Sequence, residues 1–202
     1  MTSAIEPPAM ERADVRTLVG GGAVLGMLTA LGVAAFSVLS RATTGTTESV
    51  GQIVLVLLGA SVCAFFPALR VRPRSTDFIA WAALLGLLGA LFFTVADAVL
   101  LRRVGVYHWT WDAIGGGSGM WYIPVWWMGA AVLAWLGAWI VTISAPDAML
   151  IKVAGLTVVI ALVLAAIMIV TDVGSLHPAT AALAFMLALP VHVAIAKVTR
   201  VK

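Results

Sequence analysis

Six long apolar stretches constrain what this chain can fold into, because each holds the roughly 20 residues that a helix needs to cross a lipid bilayer. The predicted membrane helices cover residues 18–39, 50–69, 78–101, 121–144, 149–170 and 179–196. Hydrophobic residues make up 62% of the sequence and charged residues 10%, whereas soluble domains carry about 25% charged residues. The sequence therefore predicts an all-α, six-helix integral membrane protein, and it argues against a soluble domain, a disordered chain or a nucleic-acid binder.

The basic residues predict how the chain is oriented. Nine of the 12 lysines and arginines fall on the side shared by the two termini, and three (Arg41, Arg102 and Arg103) fall on the other. Because basic residues stay on the cytoplasmic side, both termini are predicted to be cytoplasmic. We expect a disordered polar lead over residues 1–16, one membrane domain over 17–198 and a basic tail over 199–202. In a bacterium the protein would lie in the inner membrane.

Aromatic and small residues suggest how the helices sit in the bilayer and against one another. The predicted outer side carries Tyr107, Trp109, Trp111, Trp121, Tyr122, Trp126 and Trp127. Such rings prefer the headgroup layer, so an interfacial belt is favoured over a ligand cage. The glycine run at 115–119 lacks the ending of a phosphate loop and predicts a surface turn. Gly22, Gly26, Ala30, Gly86 and Gly89 have the spacing of close helix packing, either within the bundle or between copies of the chain.

Ionisable residues inside the spans are the usual place to look for function in a membrane protein. Asp97 is an acid one turn from the outer end of its span, with Arg102 just beyond. Pairing with an arginine is favoured over a proton relay or a catalytic acid. His108, His177 and His192 match no metal-ligand spacing, and structural roles are favoured. No catalytic residue, metal or cofactor is predicted.

Two of these histidines have specific expected positions. His177-Pro178 should open the sixth helix, because proline is tolerated at the first helical position. His192 follows Pro190, where its ring could satisfy backbone carbonyls that the proline frees. The scarcity of polar groups elsewhere argues against an ion channel, a proton pump or a transporter of polar solutes. It permits an apolar cavity with one or two hydrogen-bonding groups at its end.

Three segments resemble the Insig (insulin-induced gene) family of sterol-sensing proteins, as in a bacterial-type homologue. Residues 105–110, Gly-Val-Tyr-His-Trp-Thr, resemble the family's Gly-Val-Tyr-Gln-Tyr-Thr. Trp121, Pro124 and the pair at 129–130 resemble the start of its last helix, although the family's proline is one position closer. Gln52, the aromatic pair at 65–66 and the arginines at 70–74 resemble a third segment. The likeness covers residues 15–145 and gives the helices at 149–196 no counterpart.

The resemblance implies a non-enzymatic protein that binds a lipid among its helices and holds partner membrane proteins. The implied lipid-binding residues are Phe36, Gln52, Phe65 and Phe66. The alternative is that Gln52 caps a helix end and the phenylalanines only pack. Leu69 stands roughly where the family has an aspartate needed for its partner, which argues against that partner. The expected ligand is neutral, either sterol-like or a diacylglycerol, and a second copy of the chain is a further candidate partner.

Two other functions stay open from the sequence. A second pattern resembles membrane lycopene cyclases, and it consists of Asp97, Trp109, residues 114–115 and residues 123–124. Those enzymes carry two glutamates after the proline, where this chain has Val-Trp-Trp at 125–127. Because cyclisation needs a proton donor, this departure weakens the enzyme alternative. The third possibility is a structural subunit of a larger membrane complex.

Overall fold

Within the part of the chain that the structure describes, six helices form the bundle, and each is long and apolar enough to cross a membrane. The computed structural model describes residues 15–71, 77–106, 122–144 and 149–200, with the side chains at 122–124 and 200 outside the description. The helices are α1 Val15–Ala42, α2 Gly45–Val71, α3 Phe78–Ala96, α4 Tyr122–Ile143, α5 Leu150–Val170 and α6 Pro178–Arg200. The predicted all-α, multi-pass membrane fold is confirmed, while the cytoplasmic placement of the termini stays a prediction.

The polar segment predicted to separate the first two helices is mostly helical. Helix α1 runs to Ala42 and α2 begins at Gly45, whose φ of +67° allows the reversal. Arg41 lies in the last turn of α1 and Glu48 in the first turn of α2. A cation at a helix C-terminus and an anion at an N-terminus complement the helix dipole. The charges therefore extend both helices beyond the bounds that hydropathy alone predicted.

Helix α2 lies at the centre and contacts each of the other five helices. The larger apolar cluster joins α2 to α4, α5 and α6 through residues such as Phe65, Ile140 and Phe185. A second cluster joins α2 to α1 and α3 through Leu25 and Leu85. Helix α5 is peripheral, because it packs chiefly on α6 and turns many apolar side chains outward.

Glycines set the closest approaches between helices. A Cβ added to Gly26 would lie 2.8 Å from the Gly89 carbonyl oxygen of α3, and one added to Gly86 would lie 2.8 Å from the Ala130 carbonyl oxygen of α4. At Gly137 of α4 it would overlap the Ala64 carbonyl oxygen of α2. Close backbone approach is how helices associate in lipid, so the prediction of packing within the bundle is confirmed for Gly26, Gly86 and Gly89, while Gly137 was not predicted.

The last turn of the third span differs from the uniform helix that was predicted. Residues Asp97–Leu101 form a π-helical turn, in which the Arg102 N–H donates to the Asp97 carbonyl oxygen at 3.0 Å. Side chains on an α-helix face one another at spacings of three and four. The wider turn brings the side chains of Asp97 and Arg102, five residues apart, within 2.9 Å.

Candidate functional site

Gln52, the predicted ligand glutamine, links α1 to α2. Its Nε2 donates to the Ser40 Oγ and to the Glu48 Oε1, both at 2.9 Å. Ser40 in turn donates to the carbonyl oxygen of Phe36 at 2.9 Å. Both amide hydrogens are thus engaged, and the amide oxygen is the atom that a ligand hydroxyl could use. Gln52 lies about two turns inside α2, so it is not the helix-end cap that the alternative expected.

Phe65 and Phe66 lie far from this junction, roughly 20 Å along α2 from Gln52. Phe65 is 3% exposed and belongs to the cluster shared with α4, α5 and α6. Phe66 packs on the cluster of α1 and α3, with the Arg70 guanidinium carbon 5.9 Å from its ring centroid. The structure therefore brings Phe36 and Gln52 to one end and the two phenylalanines of α2 towards the other. Their role as lipid ligands stays a prediction.

The Gln52 link gives a first testable prediction. Replacing Gln52 with leucine removes two hydrogen bonds between polar side chains and is expected to lower the free energy of unfolding by about 1 kcal/mol. Ser40→Ala, which removes one of the same bonds, is the matched variant and should produce a smaller loss. Thermal unfolding in detergent measures both, and an unchanged Gln52→Leu protein would show that the link contributes nothing to stability.

A cavity of about 180 Å³ lies between α2, α5, α6 and the connection at 171–177. Its walls are apolar, and polar side chains occur only at the end formed by that connection. The lining residues are Ile53, Leu57, Ala161, Leu162, Ala165, Ala166, Ile169, Ser175, Leu176, His177, Thr180 and Ala181. Ile53 lines it, while the adjacent Gln52 reaches α1 instead. This is the apolar cavity with a polar end that the composition permits, formed with the helix pair that the resemblance does not cover.

The polar end of the cavity is formed by Ser175, His177 and Thr180. Thr180 is 9% exposed, and its Oγ1 accepts a hydrogen bond from the Ser175 N–H at 3.3 Å. Among the described residues its hydroxyl proton meets no acceptor. The Nδ1 of His177 accepts from the Ala179 N–H at 3.2 Å, so a neutral ring carries its proton on Nε2. This bond caps α6, which begins at Pro178 as predicted.

The sequence has two features that are consistent with this cavity and that a hydropathy scan does not detect. Ala161, Ala165 and Ala166 place small side chains on one stretch of α5. Ser175, His177 and Thr180 then place three polar side chains around the start of α6. Small side chains on α5 leave space where they face the larger side chains of α2. However, α5 is apolar on nearly all sides, so its sequence alone does not predict which side faces α2.

Asp97 and the outer end of α1 form a second group of polar contacts. Asp97 is buried, and its Oδ2 accepts from the Arg102 Nε at 2.9 Å. The predicted pairing with an arginine is confirmed. Ser37 and Arg41 donate to the Val106 carbonyl oxygen. These bonds join the end of α1 to the segment that follows the π-helical turn.

His192 has a different partner from the one predicted. Its Nδ1 lies 2.8 Å from the Thr157 Oγ1, and the two residues are 3% and 0% exposed. Thr157 also donates to the Val153 carbonyl oxygen at 3.1 Å. The arrangement His192 Nδ1–H to Thr157 Oγ1–H to Val153 O uses each group once. The expectation that the ring satisfies carbonyls freed by Pro190 is wrong for the Nδ1 atom, which pairs with the Thr157 hydroxyl of α5.

Part of the predicted aromatic belt lies within the described residues. Trp126 is exposed, and the Trp127 Nε1 donates to the Thr94 Oγ1 at 3.1 Å. The structure describes the backbone of Tyr122 but not its side chain, and the remaining belt residues, the glycine run at 115–119 and His108 lie outside the described residues. Within the ranges that the structure describes, no group of three or more His, Cys, Asp or Glu side chains could hold a metal ion.

The chain was compared with known protein families, proteins and structures. Comparison with protein-family models, with curated proteins and with solved structures finds no match for the chain. The cavity and its polar end are therefore the features of the molecule that bear on its function.

Proposed function

We propose that this membrane protein binds a neutral lipid between its helices without catalysing a reaction, as the resemblance to the Insig family implies. The observation that supports the proposal is the apolar cavity between α2, α5 and α6, with hydrogen-bonding side chains at one end. Ligand sites usually combine apolar walls with a few placed polar groups. Other membrane proteins and a second copy of the chain are proposed partners of a protein of this kind.

The source of affinity differs from that in a soluble receptor. A lipid chain gains no hydrophobic energy on entering the protein, because the bilayer is as apolar as the cavity. Binding must come from contacts with fixed walls and from hydrogen bonds at the polar end. Leu162 and Leu176 line the cavity and are also exposed on the outer surface of the bundle. A lipid chain could therefore enter from the side.

Filling the cavity tests the proposal. Ala165→Phe places a ring among the lining residues, and the purified variant is expected to retain at least tenfold less neutral lipid than the natural protein (about 1.4 kcal/mol or more). Mass spectrometry of organic extracts measures the retained lipid. Val163→Phe is the matched control, because Val163 lies on the same helix, is exposed and does not line the cavity.

Two outcomes would contradict the proposal. One is an extract of the natural protein that holds only phospholipid in the proportions of the host membrane. The other is a neutral lipid that Ala165→Phe and Val163→Phe retain equally, since a lipid bound outside the helices would not respond to the cavity.

A further inference from the structure

We propose that the cavity between α2, α5 and α6 selects a linear-chain lipid whose head is an uncharged oxygen acceptor, such as a long-chain ester, and that Thr180 donates the hydrogen bond that holds it. This inference rests on the proposed function and names the ligand class and a ligand-contacting residue of the same site. Thr180 is not among the lipid-binding residues that the resemblance implies.

The size of the cavity favours a flexible chain. A cavity of about 150 Å³ holds one benzene molecule, so 180 Å³ holds roughly seven carbon atoms. The four fused rings of a sterol form a rigid plate, which is wider than a single chain and harder to seat between the walls of Leu57, Ala161 and Ala165. A linear chain bends at each carbon, so its first carbons can occupy the cavity while the rest lies in the bilayer.

Thr180 provides the specific polar contact. The residue lines the cavity and is 9% exposed, and its oxygen already accepts the Ser175 N–H. The Thr180 hydroxyl can still donate its proton, because none of the described residues accepts it. A buried donor without a partner carries a free-energy penalty, and a ligand oxygen would remove it. His177 lines the same end, and its Nδ1 is already engaged by the Ala179 N–H.

The charges around the polar end favour an uncharged head. None of the described residues that line the cavity is a lysine or an arginine. Asp172 is an acid in the same connection between α5 and α6. A carboxylate or phosphate head would meet donors without a compensating cation and would approach this acid. An ester offers acceptor oxygens and no charge, which matches the hydroxyl donor of Thr180.

Competition in lipid nanodiscs tests the ligand class with the natural protein. The probe is a radiolabelled long-chain ester, methyl oleate, and the competitors are unlabelled methyl oleate, cholesterol, oleate and the hydrocarbon octadecene. We expect methyl oleate to compete at least tenfold better than each of the others. Octadecene matters because it keeps the chain and lacks the oxygen. Equal or better competition by cholesterol, oleate or octadecene would overturn the inference.

Variants at Thr180 test the contact. Thr180→Val keeps the shape and removes the hydroxyl, and it is expected to weaken methyl oleate binding about fivefold to tenfold while leaving octadecene binding unchanged. Thr180→Ser restores the hydroxyl and should recover the affinity. Equal weakening of both ligands, or no weakening, would remove Thr180 from the site.

The two proposals fail in different ways. If methyl oleate binding is insensitive to Thr180→Val but is lost in Ala165→Phe, the lipid site stands and the assigned contact is wrong. If no neutral lipid binds to the natural protein at all, the proposed function and this inference fall together.

Discussion

Gly137→Ala is expected to destabilise the bundle by about 3 kcal/mol or more, at the upper end of what overpacking costs. The added methyl group would overlap the Ala64 carbonyl oxygen and lie 2.6 Å from its carbonyl carbon. These are backbone atoms, which cannot turn aside as a side chain can. Helices α2 and α4 must therefore move apart, and the apolar cluster that they share with α5 and α6 would loosen.

The same substitution elsewhere on α4 provides the control. A Cβ added at Gly129 meets nothing within 4 Å. Since alanine is a better helix former than glycine by up to about 1 kcal/mol, Gly129→Ala should be neutral or stabilising. Cys63 is the single cysteine and is partly buried, so a thiol-reactive dye can follow unfolding on heating. Similar unfolding temperatures for the two variants would show that the α2–α4 contact is not as close as described.

Thr157→Val is expected to cost about 1–3 kcal/mol, the penalty for leaving a buried polar group without its partner. The variant removes the hydroxyl that pairs with the His192 Nδ1. Valine has nearly the shape of threonine, so the loss comes from the hydrogen bond and not from packing. The bond joins α5 to α6, the helix on which α5 chiefly packs.

A double-mutant cycle separates this effect from packing. His192→Leu removes the other partner, and the double variant Thr157→Val/His192→Leu leaves neither group unpaired. Because removing both partners can be nearly neutral, the double variant should be more stable than the sum of the two single changes predicts, by 1 kcal/mol or more. Thermal unfolding of the four proteins gives the coupling. Simple additivity would mean that the two side chains do not interact.

The helices could be predicted because a membrane helix needs a fixed length of apolar sequence, a property that each segment carries by itself. The pairing of Asp97 was predictable for a related reason, since its arginine lies a few residues along the chain. The π-helical turn that joins them could not be predicted, because it depends on backbone hydrogen bonds that the pattern of side chains does not indicate.

Contacts between helices were harder to predict. His192 and Thr157 are 35 residues apart, and neither sequence neighbourhood indicates that they face each other. Gln52 was singled out as a ligand group, and the structure shows it bonded to Ser40, a partner that only the packing of α1 on α2 supplies. The cavity likewise arises from which side of α5 faces α2. An evenly apolar helix does not encode that choice in its hydropathy.

The peripheral position of α5 has a consequence for how this sequence can change over time. Its outward residues, including Ile151, Val159 and Val170, are exposed on the bundle. In a bilayer they would face lipid tails, for which most large apolar side chains are equivalent. Drift among these side chains is therefore nearly free of selection. Thr157 and Ala161 are buried on the inner side of the same helix. In a set of diverged relatives these two positions should be conserved, while the outward positions vary.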